Sequence, residues 1–157
     1  DKKEREVILQ ELERETRTMI LYEAPHGAAK GCFNHVTEEI LIRPGMSQKQ
    51  TVKTMLHEIS HATLHRRKEN ERPTKDQHTR EVEAESVAYV VCQHFGIDTA
   101  EYSFGYVAGW SKGKELDELK ASLDTIRTCA AGLIDAIEAQ CPSLHTQKEL
   151  PQPHHER

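Results

Sequence analysis

The chain has 157 residues, 36% of them hydrophobic, 30% charged and only 5% aromatic. That is about one domain's worth, with a lean but sufficient core, and it excludes a multidomain machine. The 26 acidic residues outnumber the 21 basic ones for a formal charge of −5, so no general field for a phosphate backbone exists and nucleic-acid binding by this segment alone is disfavoured. The compositional oddity is the 10 histidines, because imidazole is the commonest metal ligand. Cys32, Cys92, Cys129 and Cys141 contain no CxxC pair and read as free, mostly buried thiols of a reducing compartment. With no run near the ~18 apolar residues of a membrane helix and a polar N-terminus, the expectation is a cytoplasmic protein without a membrane partner. Position 1 is Asp, and the chain is read as a piece cut from a longer protein.

Residues 1–17 are charged and helix-favouring, with Ile8, Leu9 and Leu12 as a narrow apolar stripe. Residues 18–22 read as a strand, 24–30 as a turn, and 32–36 and 40–42 as two strands flanking a Thr37-Glu38-Glu39 turn. Together they predict a small antiparallel sheet of about three strands. Ser47 to Gln50 match a capping box that opens a helix over 48–67. Residues 68–77 are a polar break containing Pro73, and a second helix is expected over 79–95, closed by Gly96. A short helix is expected over 102–110, then a long one over 114–140. The long one carries Leu116, Leu119, Leu123, Ile126, Ala130, Leu133 and Ile137 as a packing seam, read as intramolecular core. Residues 1–140 are expected to form one domain and 141–157 a disordered polar tail; no internal repeat is visible.

Chemistry points to His57-Glu58-Ile59-Ser60-His61. Two histidines at i and i+4 on a helix project from one face and can share a tetrahedral metal, while Glu58 sits beside the open position as a general base. On the helical wheel His57, His61 and His65 lie nearly opposite Val52, Met55, Leu56, Ile59 and Thr63, so they could look into a cleft. A third ligand is available downstream in Glu81, Glu83 or Glu85. The wheel does not choose among them. A ligand carboxylate with a second carboxylate one turn later, bonded to a ligand imidazole, favours Glu81 with Glu85 and leaves Glu83 as the alternative. Tyr106 and His65 are candidate oxyanion donors, although core packing accounts for either. His35, His78, His94 and His145 read as surface or satisfied core residues, and Trp110 as core.

The run TVKTMLHEISHATLH, followed by TREVEAESVAY and YSFGYVAGW, resembles the metallopeptidase domain of ArdC-type antirestriction proteins and their mobile-element relatives, and more distantly the ImmA/IrrE metallopeptidases. The resemblance spans about residues 31–137. It implies an α+β, zincin-like fold in which the sheet packs on the HExxH helix, a second Glu-bearing helix and a long C-terminal helix. It implies Zn2+ held by His57, His61 and Glu81, with Glu85 supporting and Glu58 catalytic. The implied function is a zinc-dependent peptidase acting on a cytoplasmic protein, as part of a longer antirestriction or conjugation-related protein. Nucleic acid would then be met only through a domain not visible in this chain. The alternative is a catalytically weak, zinc-stabilised module of an antirestriction or DNA-binding protein. A purely structural metal site has no need of Glu58.

Overall fold

The computed structural model describes residues 2–16, 18–68, 70–99 and 112–140. Seven elements follow in order: α1 (Lys2–Glu15), β1 (Met19–Leu21), β2 (Gly31–Asn34), β3 (Glu39–Ile42), α2 (Gln48–Leu64), α3 (Gln77–His94) and α4 (Leu116–Gln140). The expected short helix over 102–110, Tyr106, Trp110, Cys141, His145 and the tail over 141–157 lie outside the described residues. Among the described residues no helix is long and apolar enough to cross a membrane.

The α+β class and three strands are as expected, but the sheet is mixed instead of antiparallel. Its order is β1-β3-β2, with β3 parallel to β1 and antiparallel to β2. The chain leaves β1, crosses to the far edge to lay down β2, and returns through a hairpin into the middle, so β3 must run in the direction of β1. The hairpin is fixed locally: Asn34 Oδ1 accepts from the Val36 and Thr37 amides, and Glu38 takes the left-handed conformation at φ 58°. Ile40 and Ile42, two apart on β3, are fully buried, as one face of a sheet lying on a core requires.

That core is built around α2, whose Val52, Met55, Leu56 and Ile59 join Ile8, Leu9 and Leu12 of α1 and Val87, Ala88 and Val91 of α3 in one apolar cluster. Ser47 caps α2 by accepting from the Gln50 amide at 3.2 Å, and the Gln50 side-chain amide donates inward to Thr54. Asp76 caps α3 through the Thr79 amide. At the other end Gly96 (φ 72°) donates to Gln93 O while Ile97 donates to Cys92 O, a Schellman closure that allows the sharp exit.

The seam anticipated on α4 is only partly a seam. Ile126, Ala130 and Ile137 are buried, whereas Leu116 and Leu123 are 64% and 57% exposed. In the first half of α4 the inward position belongs to Ser122, because a buried carboxylate on α3 claims its hydroxyl. Cys32, Cys92 and Cys129 are free thiols.

Edge strand β2 approaches α2 closely at Gly31. A Cβ there would lie 2.7 Å from Thr54 Cγ2, 3.1 Å from Leu41 O and 3.2 Å from Glu58 Cγ. Gly31→Ala is therefore expected to destabilise the fold by about 1–3 kcal/mol through overpacking. A urea midpoint equal to that of the unaltered chain would show that the strand moves away freely.

Candidate metal centre

The polar side of α2 and the first half of α3 meet at the site. His57, His61 and Glu81 each offer a ligand atom, and these atoms lie within 4.8 Å of one another. His57 Nε2 is 3.0 Å from Glu81 Oε2, His61 Nε2 is 3.4 Å from Glu81 Oε1, and the two Nε2 atoms are 3.1 Å apart. Tetrahedral ligands at about 2.1 Å from a metal stand roughly 3.4 Å from each other, so these separations fit one ion. Two imidazole nitrogens and a carboxylate oxygen form a donor set that a divalent metal accepts, with one position left open.

Each imidazole is held from behind. His57 Nδ1 lies 2.5 Å from Glu85 Oε1, and Lys53 Nζ holds Oε2 of the same carboxylate at 2.9 Å. His61 Nδ1 lies 2.8 Å from His65 Nδ1, and His65 Nε2 lies 2.8 Å from Glu83 Oε1. Glu83 Oε2 in turn accepts from Lys75 Nζ at 2.7 Å and Ser122 Oγ at 2.9 Å. A ligand role for His61 would set the proton order. A lone pair on His61 Nε2 places the proton on Nδ1, which donates to His65, whose own Nε2–H then donates to Glu83.

Glu83 is thus turned away from the cluster as a fully buried anchor, and His65 is a buried link between it and His61. The helical wheel placed Glu83 on another flank from Glu81 and Glu85. It could not show that α4 and the loop before α3 would wall that flank with Ser122 and Lys75. Sequence reasoning also missed Lys53 and Gly31. An isolated lysine or glycine on a helix or strand carries no periodic signal.

Charge at the site is tightly compensated. Burial alone would depress the His57 imidazole, but its hydrogen bonds to Glu81 and Glu85 outweigh that and raise it to about 9. Burial pushes the Glu58 carboxyl up to about 7; the His57 charge opposes this, and Glu81 and Glu85 add to it. Burial also opposes ionisation of Glu81, Glu83 and Glu85. Their imidazole and lysine partners nevertheless hold Glu81 well below the usual carboxylate range and lower the other two.

Glu58 and Gly31 sit between two open clefts. One, about 260 Å³, is lined by Lys53, Thr54, His57, Glu81 and Glu85. The other, about 230 Å³, is lined by Cys32, Phe33, His35, Arg80, His61 and Glu81. Burial and the neighbouring Glu58 carboxylate push the Cys32 thiol up from its ordinary value. A larger cavity of about 390 Å³ among Leu12, Ile59, Arg66 and Leu133 is lined by no imidazole or carboxylate and offers no hydrolytic group.

The profile of the IrrE N-terminal-like domain, a peptidase family, matches residues 15–103. An uncharacterized protein of Bacillus anthracis is 30% identical over 127 residues, which is 79% of this chain and 21% of that protein. The chain therefore spans about a fifth of the length of this curated relative. No solved structure matches it.

Two outcomes are expected. Glu81→Ala should weaken metal retention most, while Glu85→Ala and Glu83→Ala should each weaken it about 10- to 100-fold, measured by chelator competition. Full retention in Glu83→Ala would disconnect the His65 link from His61. The metal-free chain should lose stability with rising pH. A group whose folded pKa is raised contributes fully below its unfolded value, and for His57 that contribution is lost between 6.5 and about 9. Melting temperatures in chelator that are flat from pH 7 to 9 would contradict the His57 pairing.

Proposed function

This chain belongs to the IrrE N-terminal-like domain family of metallopeptidase-type proteins, and from that premise we propose that it is a zinc-dependent peptidase of zincin-like architecture acting on a cytoplasmic protein. The observation that carries the reading is Glu58, buried at the cleft one residue from His57, beside three converging ligand atoms. A metal site that only held the fold together would have no use for a carboxylate there.

Zinc held by His57, His61 and Glu81 would supply Lewis acidity, lowering the pKa of water and polarising a scissile carbonyl. Glu58 takes the proton from the attacking water and hands it to the leaving amine. Burial at the cleft raises the Glu58 carboxyl above the usual carboxylate range, the direction that favours a proton-accepting and proton-donating role. Glu85 fixes the ring of His57, and the His65–Glu83 pair fixes the ring of His61, so neither imidazole needs to reorient during reaction. Gly31 lets the backbone of β2 lie against Glu58 without a side chain between it and the cleft. We place the domain within a longer protein with an antirestriction or conjugation-related role, following the ArdC-like motifs and the much longer relative, of which the matched part is 21%.

Glu58→Gln is expected to keep about one zinc per chain while lowering peptide hydrolysis at least ~100-fold, since the amide preserves shape and removes the base. His57→Ala should lose both. Metal analysis and cleavage of an unfolded protein substrate read the two quantities separately. Undiminished hydrolysis by Glu58→Gln would overturn the mechanism, and a chain that takes up no zinc at all would overturn the metal.

A further inference from the structure

The stretch from the end of α2 to the start of α3 reverses the sign of an otherwise acidic site. Arg66, Arg67, Arg72, Lys75 and Arg80 line a cavity of about 80 Å³ in which Glu71 is the sole acidic lining residue among those described. Two of these cations are already engaged. Arg66 donates to Ala62 O, Glu38 and Thr18, and Lys75 donates to Glu83. Arg67 and Arg80 are different. Arg67 Nη1 and Arg80 Nε are buried with no hydrogen-bond partner among the described residues, and so is His35 Nδ1.

A buried guanidinium nitrogen without an acceptor is costly, and the group that removes the cost most effectively is an anion that can bridge two forks. Position supplies the second half of the argument. Arg80 lines this cavity and also the 230 Å³ cleft that contains Glu58, His57, His61, Glu81 and His35. His35 feels the same field: burial and then the positive charge of Arg67 lower its pKa, with His61 and Arg80 adding to the effect.

Resting on the peptidase reading above, we propose that Arg67 and Arg80, with His35 at the rim, form a subsite that binds a carboxylate of the substrate next to the scissile bond. Glu58, Glu81 and Glu85 would repel an acidic peptide lying across the cleft; the two arginines admit one in a single register. Selection of substrates bearing an acidic side chain, or a free C-terminus, at one fixed distance from the cut follows from that placement.

The test requires no hydrolysis. Three probes are titrated into the full chain with and without zinc: acetyl-Ala-Glu-Ala amide, acetyl-Ala-Gln-Ala with a free C-terminus, and acetyl-Ala-Gln-Ala amide. Binding is followed by the guanidinium N–H NMR signals of Arg67 and Arg80. At least one carboxylate probe is expected to shift both signals with a Kd about tenfold or more below the neutral probe, and which one does so distinguishes side chain from terminus. Arg80→Gln and Arg67→Gln should each reduce that preference to less than about threefold. Arg80→Lys, which keeps the charge and loses the fork, should retain part of it. Equal binding of all three probes by the unaltered chain overturns the subsite. So does a full preference in both glutamine variants, or inorganic phosphate binding about tenfold more tightly than either carboxylate probe. Since nothing is cleaved, failure here leaves the peptidase reading standing, and an inactive enzyme leaves this one standing.

Discussion

Glu83 and Glu85 are carboxylates in the interior of a small protein, 0% and 5% exposed, and such groups are costly unless cations and donors meet their oxygens. Here the partners are His65, Lys75 and Ser122 for one, and His57 and Lys53 for the other. These contacts join α2 to α3 and bring in α4 through Ser122. They therefore fix the separation and rotation of the two helices that carry the ligand atoms. With that rotation fixed, the Glu81 carboxylate lies against both Nε2 atoms.

The same layer explains why the site is both charged and rigid. Isolated ion pairs at a surface contribute little, because two long side chains must be immobilised in water. Buried ones that are fully hydrogen-bonded penalise every arrangement in which a partner is missing, and so specify one geometry. The imidazoles gain from this, since His57 Nδ1 lies against the Glu85 carboxylate and His61 Nδ1 against His65, which holds both rings in place before any metal arrives. The sheet contributes differently: β2 supplies an edge whose glycine brings the backbone against Glu58, and β3 anchors that edge through Ile40 and Ile42.

Family membership and geometry carry different parts of the functional conclusion. The match over residues 15–103 covers the sheet, α2 and α3, where His57, His61 and Glu81 lie, and stops short of α4. Yet α4 provides Ser122 and thereby part of the support for His61. The arginine-lined cavity falls within the matched region but arises from the loop between the two ligand helices, where an insertion or a changed charge alters recognition without disturbing the ligands.

Much of this was legible in the sequence because its signals are local. Helix periodicity located α1, α2, α3 and α4 to within a few residues. Ser47 and Gly96 marked a start and a stop through cap chemistry, and the i, i+4 spacing of His57 and His61 put both rings on one face before any neighbour was known. What the sequence left open depends on which elements become neighbours. The parallel pairing of β1 with β3 was settled by the path of the chain across the sheet. The exposure of Leu116 and Leu123 came from the rotation that Ser122 imposes on α4. Glu81 and Glu83, two positions apart on one helix, differ in what stands opposite each: imidazole nitrogens opposite the first, and a lysine, a serine and the outer face of His65 opposite the second. Periodicity describes one helix at a time, whereas a carboxylate's role is set by its partners across the interface, and those are supplied only by the packed chain.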